Sequence, residues 1–141
     1  MIVRDFRPVD VPAACRLLGQ LGYKVDEREI KVRLDRLTKA PDHRIVVAEI
    51  DGEVAGLLHV FERPALEKSC EAVVQSLVVE AGRRGSGIGR RLMNEAEAWA
   101  RGRGLTSTAL YTRVDRHDAR AFYEQLGYRL AATSHLMRRG D

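Results

Sequence analysis

The chain has only two cysteines, Cys15 and Cys70, among its 141 residues, and they fall into no metal-ligand spacing. Two isolated thiols argue against a disulfide scaffold and read as reduced, largely buried side chains. No His-x-x-x-His pair occurs either, so no metal is expected. Aromatic residues make up 6% and do not interleave with a basic run, which speaks against a base-stacking nucleic-acid platform. No apolar run approaches the roughly 20 residues that cross a bilayer. Met1-Ile2-Val3-Arg4-Asp5-Phe6 also lacks the apolar stretch of a secretory leader. The expectation is a cytoplasmic protein with neither a membrane nor a nucleic acid as partner.

What is present suits a globular chain. Hydrophobic residues reach 45% and charged residues 31%, the balance of a soluble protein with a real core. The length fits a single domain over residues 1–141. The net charge is +4, with both signs interspersed along the chain. The one dense basic cluster, Arg83-Arg84 and Arg90-Arg91, brackets a glycine-rich turn. That arrangement suits a compact anion better than a long polyanion.

Periodicity sets the order of elements. Ile2 to Arg7 reads as a strand. Val9-Asp10-Val11-Pro12 starts a helix whose apolar face is Ala14, Leu17, Leu18 and Leu21, closed by Gly22. Asp26 is a good N-cap for a second helix with Ile30, Leu34 and Leu37 on one side. Arg44 to Ile50 and Val54 to Phe61 form a hairpin about Asp51-Gly52. Ala72 to Val79 is a strand buried on both faces. A long helix follows, with Ile88, Leu92, Ala96 and Trp99 on one side, running to about Arg101. Thr106 to Tyr111 is a strand, Asp115 or Asp118 caps a helix carrying Ala119, Phe122 and Leu126, and Tyr128 to Met137 offers one or two last strands. The order β-α-α-β-β-β-α-β-α-β implies a mixed sheet with helices on its faces.

The most informative segment runs from Leu77 to Arg90. A buried strand feeds Gly82-Arg83-Arg84-Gly85-Ser86-Gly87-Ile88-Gly89, which opens the long helix. The first turn of a helix has unpaired N–H groups and the positive end of the macrodipole. Glycines let a ligand come close to the backbone. Together these features make a diphosphate cradle, to which Arg84 and Arg90 can add charge-assisted bonds. A Walker loop would end in Gly-Lys-Ser/Thr, and a dinucleotide fingerprint needs Gly-x-Gly-x-x-Gly; the spacing Gly85-x-Gly87-x-Gly89-Arg90 fits neither.

Arg84-Gly85-Ser86-Gly87-Ile88-Gly89 resembles the R/Q-x-x-G-x-G/A motif of the GNAT superfamily of N-acetyltransferases. Ala119-Arg120-Ala121-Phe122-Tyr123-Glu124-Gln125-Leu126-Gly127-Tyr128 resembles the family's A-x-x-F-Y-x-x-x-G-Y/F pattern. The likeness covers nearly the whole chain. It implies an α/β (α+β) fold: a single domain with a mixed, mostly antiparallel sheet of six to seven strands and helices on both faces. It also implies acetyl-CoA as co-substrate, with its diphosphate on the amides of Gly85, Ser86, Gly87, Ile88, Gly89 and Arg90. The pantetheine arm would lie beside Leu77, Val78 and Val79, where the strand splays from its neighbour.

Acetyl transfer needs a neutral amine, a donor to the developing oxyanion and protonation of the departing thiolate. Two substrates held in line suffice without a covalent intermediate. The resemblance assigns the acid to Tyr123, while Phe122 reads as core. The oxyanion donor is expected to be a backbone N–H of the Leu77–Val79 strand, Val79 first. The base is where the chain departs from the family. The glutamate many members carry is Val73 here, and a second common base position is Tyr111. Glu71 and Gln75 flank Val73 at period two, and Glu71 is the candidate base; its alternative is a solvated strand-end charge. His59 could reach the acceptor cleft or be a satisfied histidine on the sheet. In a subgroup resembling aminoglycoside and other small-amine acetyltransferases, a basic residue stands where this chain has Arg116, which implies contact with the cofactor's phosphate side.

In the family the first two helices cover the acceptor. Asp26, Glu27, Glu29 and Asp35 there would attract a cationic amine, or form a solvated face balanced by Lys24, Arg28, Lys31 and Arg33. The expected activity is acetylation of a small-molecule primary amine, aminoglycoside-like or polyamine-like. The alternatives are a protein N-terminus or lysine as acceptor, and an acyl-CoA-binding module without turnover. A homodimer through the last strands is a further expectation.

Overall fold

The computed structural model describes residues 1–141 and divides them into two compact units, Met1–Tyr111 and Thr112–Asp141. The first holds one sheet of five strands: β1 (Ile2–Asp5), β2 (His43–Ile50), β3 (Glu53–Arg63), β4 (Glu71–Val79) and β5 (Thr108–Leu110), ordered as numbered. β1 to β4 pair antiparallel, and β5 joins β4 in parallel. The mixed, mostly antiparallel sheet is as expected, with five strands in place of six or seven. Residues 128–137 form no strand. Their large apolar side chains, Leu130, Leu136 and Met137, are exposed, so no buried face offsets the entropy of ordering a ladder.

The helices are α1 (Val11–Gln20), α2 (Glu27–Thr38), α3 (Ile88–Gly102) and, in the second unit, α4 (His117–Gln125). No helix is long and apolar enough to cross a membrane. Asp26 caps α2, accepting from the Glu29 N–H at 2.8 Å. Asp10 precedes α1 without capping it. Its buried carboxylate instead accepts from the Arg7 N–H at 2.8 Å and from both terminal nitrogens of Arg4, at 2.8 and 2.9 Å. Arg4 also donates to Glu49 on β2 at 2.8 Å, so this network ties the start of α1 to two strands. The N-cap of α4 is Arg116, neither Asp115 nor Asp118.

Helices of the first unit cover both sheet faces. On one face Val47, Leu57 and Val78 pack against Val11, Ala14 and Leu17 of α1 and Ile30 of α2. On the other, Gly56 of β3 lies under α3: a Cβ built on it would stand 2.8 Å from Ile88 Cγ2 and 2.9 Å from Leu92 Cδ1. That close approach seats the glycine-rich end of α3 against the sheet.

One irregularity matters for the site. The β3–β4 register passes from His59 opposite Ser76 to Val60 opposite Val74, which leaves Gln75 as an extra residue. This bulge breaks the alternation expected of Glu71, Val73 and Gln75. His59 and Phe61 share a face, so their partners Ser76 and Val73 share it too. The sequence carries no mark of a bulge, which is why Gln75 was expected where Ser76 lies.

Candidate active site

The turn before α3 is built from left-handed glycines. Gly85 has φ 83° and Gly87, the N-cap of α3, has φ 88°, a region where residues with a Cβ are strained. No side chain caps the helix. The Ser86 hydroxyl is turned back to the Arg83 carbonyl. A Cβ on Gly85 or Gly87 would meet no atom within 4 Å, so the approach to the turn is open. Arg83 is drawn towards Glu80 and Glu53. Arg84 and Arg90 are exposed and enter none of the ion pairs that hold their neighbours. The arrangement offers free amides, the positive end of a 15-residue helix and two available guanidinium groups, the donor set an anion such as a diphosphate needs.

The strand leading into this turn is half open. β5 pairs with β4 only at Ala72, Val73 and Val74, so Gln75 to Val79 have no partner on that edge. Successive residues of a strand point their N–H groups to opposite edges. The Glu80 N–H donates to Ala55 on the β3 side at 2.9 Å, so the Val79 N–H is directed to the open edge. Leu77, Val78 and Val79 therefore border a gap in the sheet that runs to the glycine turn.

Glu71 lies at the far end of β4. Its carboxylate takes Lys68 at 3.0 Å, Arg63 at 3.1 Å and the Ser107 hydroxyl at 3.3 Å. Lys68 first, then Arg63 and Ser107, hold it below the usual carboxylate range, which makes it a poor proton acceptor. Tyr111 belongs to the same cluster, its hydroxyl accepting from Arg63 at 2.9 Å. In the second unit, Tyr123 lies half-buried with its ring edge-on to Phe122 and Tyr128. Burial pushes its phenol up to about 12, so it holds its proton across the physiological range. Arg116 precedes α4 and pairs with Asp118 at 3.3 Å.

A histidine pair is the feature that reading the sequence missed. His43 Nδ1 and His59 Nε2 are 2.9 Å apart, and the His43 ring stacks on Phe61. Burial, and secondarily His43, push His59 down to about 4, so it is neutral at physiological pH. The hairpin register held the signal, since it sets His43 opposite Phe61 and diagonal to His59. His59 and Ser76 line a half-open cavity of about 170 Å³ whose other walls include Leu18 of α1, Leu34 of α2 and Leu57 of the sheet. The acidic residues of α2 lie outside it: Glu29 pairs with Arg33 and Asp35 with Lys39, both on the exposed side.

The Acetyltransferase (GNAT) family profile matches residues 12–128, and the chain belongs to that family. It is 32% identical over 127 residues to the serotonin N-acetyltransferase 2, chloroplastic, of Oryza sativa subsp. japonica, covering 89% of this chain and 59% of that protein. It is 43% identical over 65 residues to N-alpha-acetyltransferase 80 of Mus musculus, covering 46% of this chain and 19% of that one. The chain thus spans from about a fifth to about three fifths of these relatives' lengths. Among solved structures, an aminoglycoside antibiotic 6'-N-acetyltransferase from Acinetobacter haemolyticus superposes with a TM-score of 0.85 over 100% of both chains at 18% identity, which shows a shared fold.

Proposed function

We propose that this GNAT-family chain transfers an acetyl group from acetyl-CoA to the nitrogen of a small-molecule primary amine. The observation that carries the reading is the uncapped, glycine-lined head of α3, continuous with the unpaired edge of β4. Gly85 to Arg90, with Arg84, hold the diphosphate, and Leu77 to Val79 flank the pantetheine arm. Arg116 adds charge on the phosphate side. The amine nitrogen attacks the thioester carbonyl: a C–N bond forms, the C–S bond breaks, and the nitrogen gives up one proton to water, which balances the proton that the departing sulfur gains by way of Tyr123 and that water restores to the phenol. The Val79 N–H stabilises the oxyanion. Tyr123, held protonated, donates to the departing sulfur. Its raised value makes it a reluctant acid, so it acts as a hydrogen-bond donor while charge builds on sulfur, and proton transfer finishes as the bond breaks. The rice relative, named for a small amine, supports a small acceptor over a protein N-terminus; the mouse relative matches less than half of this chain.

The experiment is a melting curve with acetyl-CoA joined to a thiol-release assay over an amine panel. Acetyl-CoA at about 100 times its dissociation constant should stabilise the chain by about 2.7 kcal/mol. Arg84→Ala with Arg90→Ala should reduce that shift. Tyr123→Phe should keep the shift and lower kcat by about 10²-fold or more. Absence of any coenzyme shift in the wild-type chain would defeat the proposal.

A further inference from the structure

We infer that His59 and His43 form the proton exit of the acetyl transfer: His59 takes the proton that the acceptor nitrogen loses, and His43 hands one on to water. The inference rests on the acetyl transfer proposed above and names the residue that accepts the proton in it.

Elimination points to His59. Of the side chains that line the half-open cavity, only His59 and Arg33 are ionisable. Arg33 is a guanidinium, which has no lone pair to offer, and it pairs with Glu29 at 3.3 Å. No carboxylate lines the cavity. Glu71 stands at the far end of β4 with its oxygens taken by Lys68, Arg63 and Ser107. Burial keeps His59 neutral at physiological pH, so a ring nitrogen is free to accept.

Its place in the sheet fits the task. His59 stands opposite Ser76, on the stretch of β4 that β5 leaves unpaired. The Val79 N–H, the proposed oxyanion donor, is three residues further on, about 10 Å along the strand. A reacting centre and one water span that distance.

Each ring nitrogen then has a role. His59 Nε2 lies 2.9 Å from His43 Nδ1, so the two share one proton. His59 Nδ1 has no hydrogen-bond partner, and the chain holds no buried polar side-chain atom without one. Nδ1 is therefore open to solvent, on the ring that lines the cavity. His43 is half-buried on β2 and does not line the cavity. Its ring is held by stacking on Phe61, with centroids 5.2 Å apart and planes 13° from parallel. The pair thus joins the cavity wall to a ring outside it.

A buried imidazole is a weak base if it must keep the proton, and the pair removes that need. As His59 Nδ1 takes the proton from nitrogen, the His59 Nε2 proton passes to His43 Nδ1. The charge appears on His43, not on the ring whose burial opposes it. His43 then gives its Nε2 proton to water. After the product leaves, His59 Nδ1 gives a proton to water and water returns one to His43 Nε2. Both rings regain their starting tautomers, and each turnover has delivered one proton to water.

The test reads tautomer and turnover separately. Nitrogen-15 spectra of the free chain at about pH 7 should show His59 protonated at Nε2 and bare at Nδ1. Thiol release with acetyl-CoA is followed with the fastest amine among tryptamine, spermidine and kanamycin. His59→Gln should lower kcat by about 100-fold, keep the acetyl-CoA melting shift and lose the acid limb of the kcat profile. The ionisable groups facing His59 are His43 from β2 and Arg33 from α2, while α1 and β4 present none to it, so that limb belongs to the pair. Imidazole added to His59→Ala should restore kcat by about tenfold. His43→Phe, which keeps a ring on Phe61 and loses the relay, should lower kcat by about tenfold with KM for the amine unchanged. Wild-type turnover in His59→Gln would overturn the relay and leave acetyl transfer standing. So would a His59 ring protonated at Nδ1, or a loss of activity that imidazole does not restore and that keeps the acid limb. A wild-type chain with neither a coenzyme melting shift nor thiol release would overturn acetyl transfer itself, and the relay with it.

Discussion

His59 should govern part of the acid limb of the stability curve. Burial first, and the neighbouring His43 ring second, depress it from 6.5 to about 4. The folded chain thus binds this proton more weakly than the unfolded chain. As pH falls from 6.5 towards 4, the unfolded state gains a proton that the folded state refuses, and stability falls. Above 6.5 both states are neutral here and the full stability is present. At 1.36 kcal/mol per pH unit the gap is worth about 3 kcal/mol; the ring is only half-buried, so about 2 kcal/mol is the working figure. The perturbation is His59→Gln, which keeps an acceptor for His43 and removes the titration. Urea unfolding of both proteins would be followed from about pH 7.5 to about pH 4.5. Asp10, Glu62 and Glu71, held low by Arg4, Arg103 and Lys68, also weaken the fold in acid, but equally in the two proteins. Their common slope cancels in the difference. The variant should gain about 2 kcal/mol on the wild type across the range. Parallel curves would show that the imidazole is solvated and titrates normally, and the packing argument would fail.

Two further substitutions probe the frame around the site. Gly56→Ala drives a methyl group into Ile88 and Leu92 under α3, and it should cost about 1–3 kcal/mol, read as a lower melting temperature with secondary structure retained by circular dichroism. An unchanged melting temperature would mean that α3 can slide over the sheet. Arg4→Met leaves the Asp10 carboxylate, 4% exposed, with only the Arg7 N–H, and it should cost about 3 kcal/mol at neutral pH. Replacing Asp10 by Leu in the same chain should restore most of that loss, as removal of both charges does not strand either one.

What could be read from the residues follows from the range of each interaction. The α2 cap at Asp26, the turn at Asp51-Gly52 and the glycine run before α3 are local devices, in which a few adjacent residues carry both cause and effect. They were legible for that reason, and the gap beside Leu77 to Val79 was legible only through the family likeness. The bulge at Gln75 was not, because it depends on two strands with different demands. Once that one residue is extruded, Ser76 moves to the face of His59, and the polar end of the cavity exists where strict alternation would have put a glutamine. The same reasoning accounts for the low proton affinity of Glu71. In the sequence it is a carboxylate near the expected base position, while in the fold three neighbours from separate segments, Arg63, Lys68 and Ser107, take its oxygens. Whether a carboxylate is available as a base is decided by what surrounds it, and those surroundings are assembled by long-range pairing. The missing sixth strand has the opposite lesson. Residues 128–137 have the residue types of a strand, yet Leu130, Leu136 and Met137 are mostly exposed. Strand propensity expresses fit to a half-buried pleat, and without a buried face it has nothing to act on.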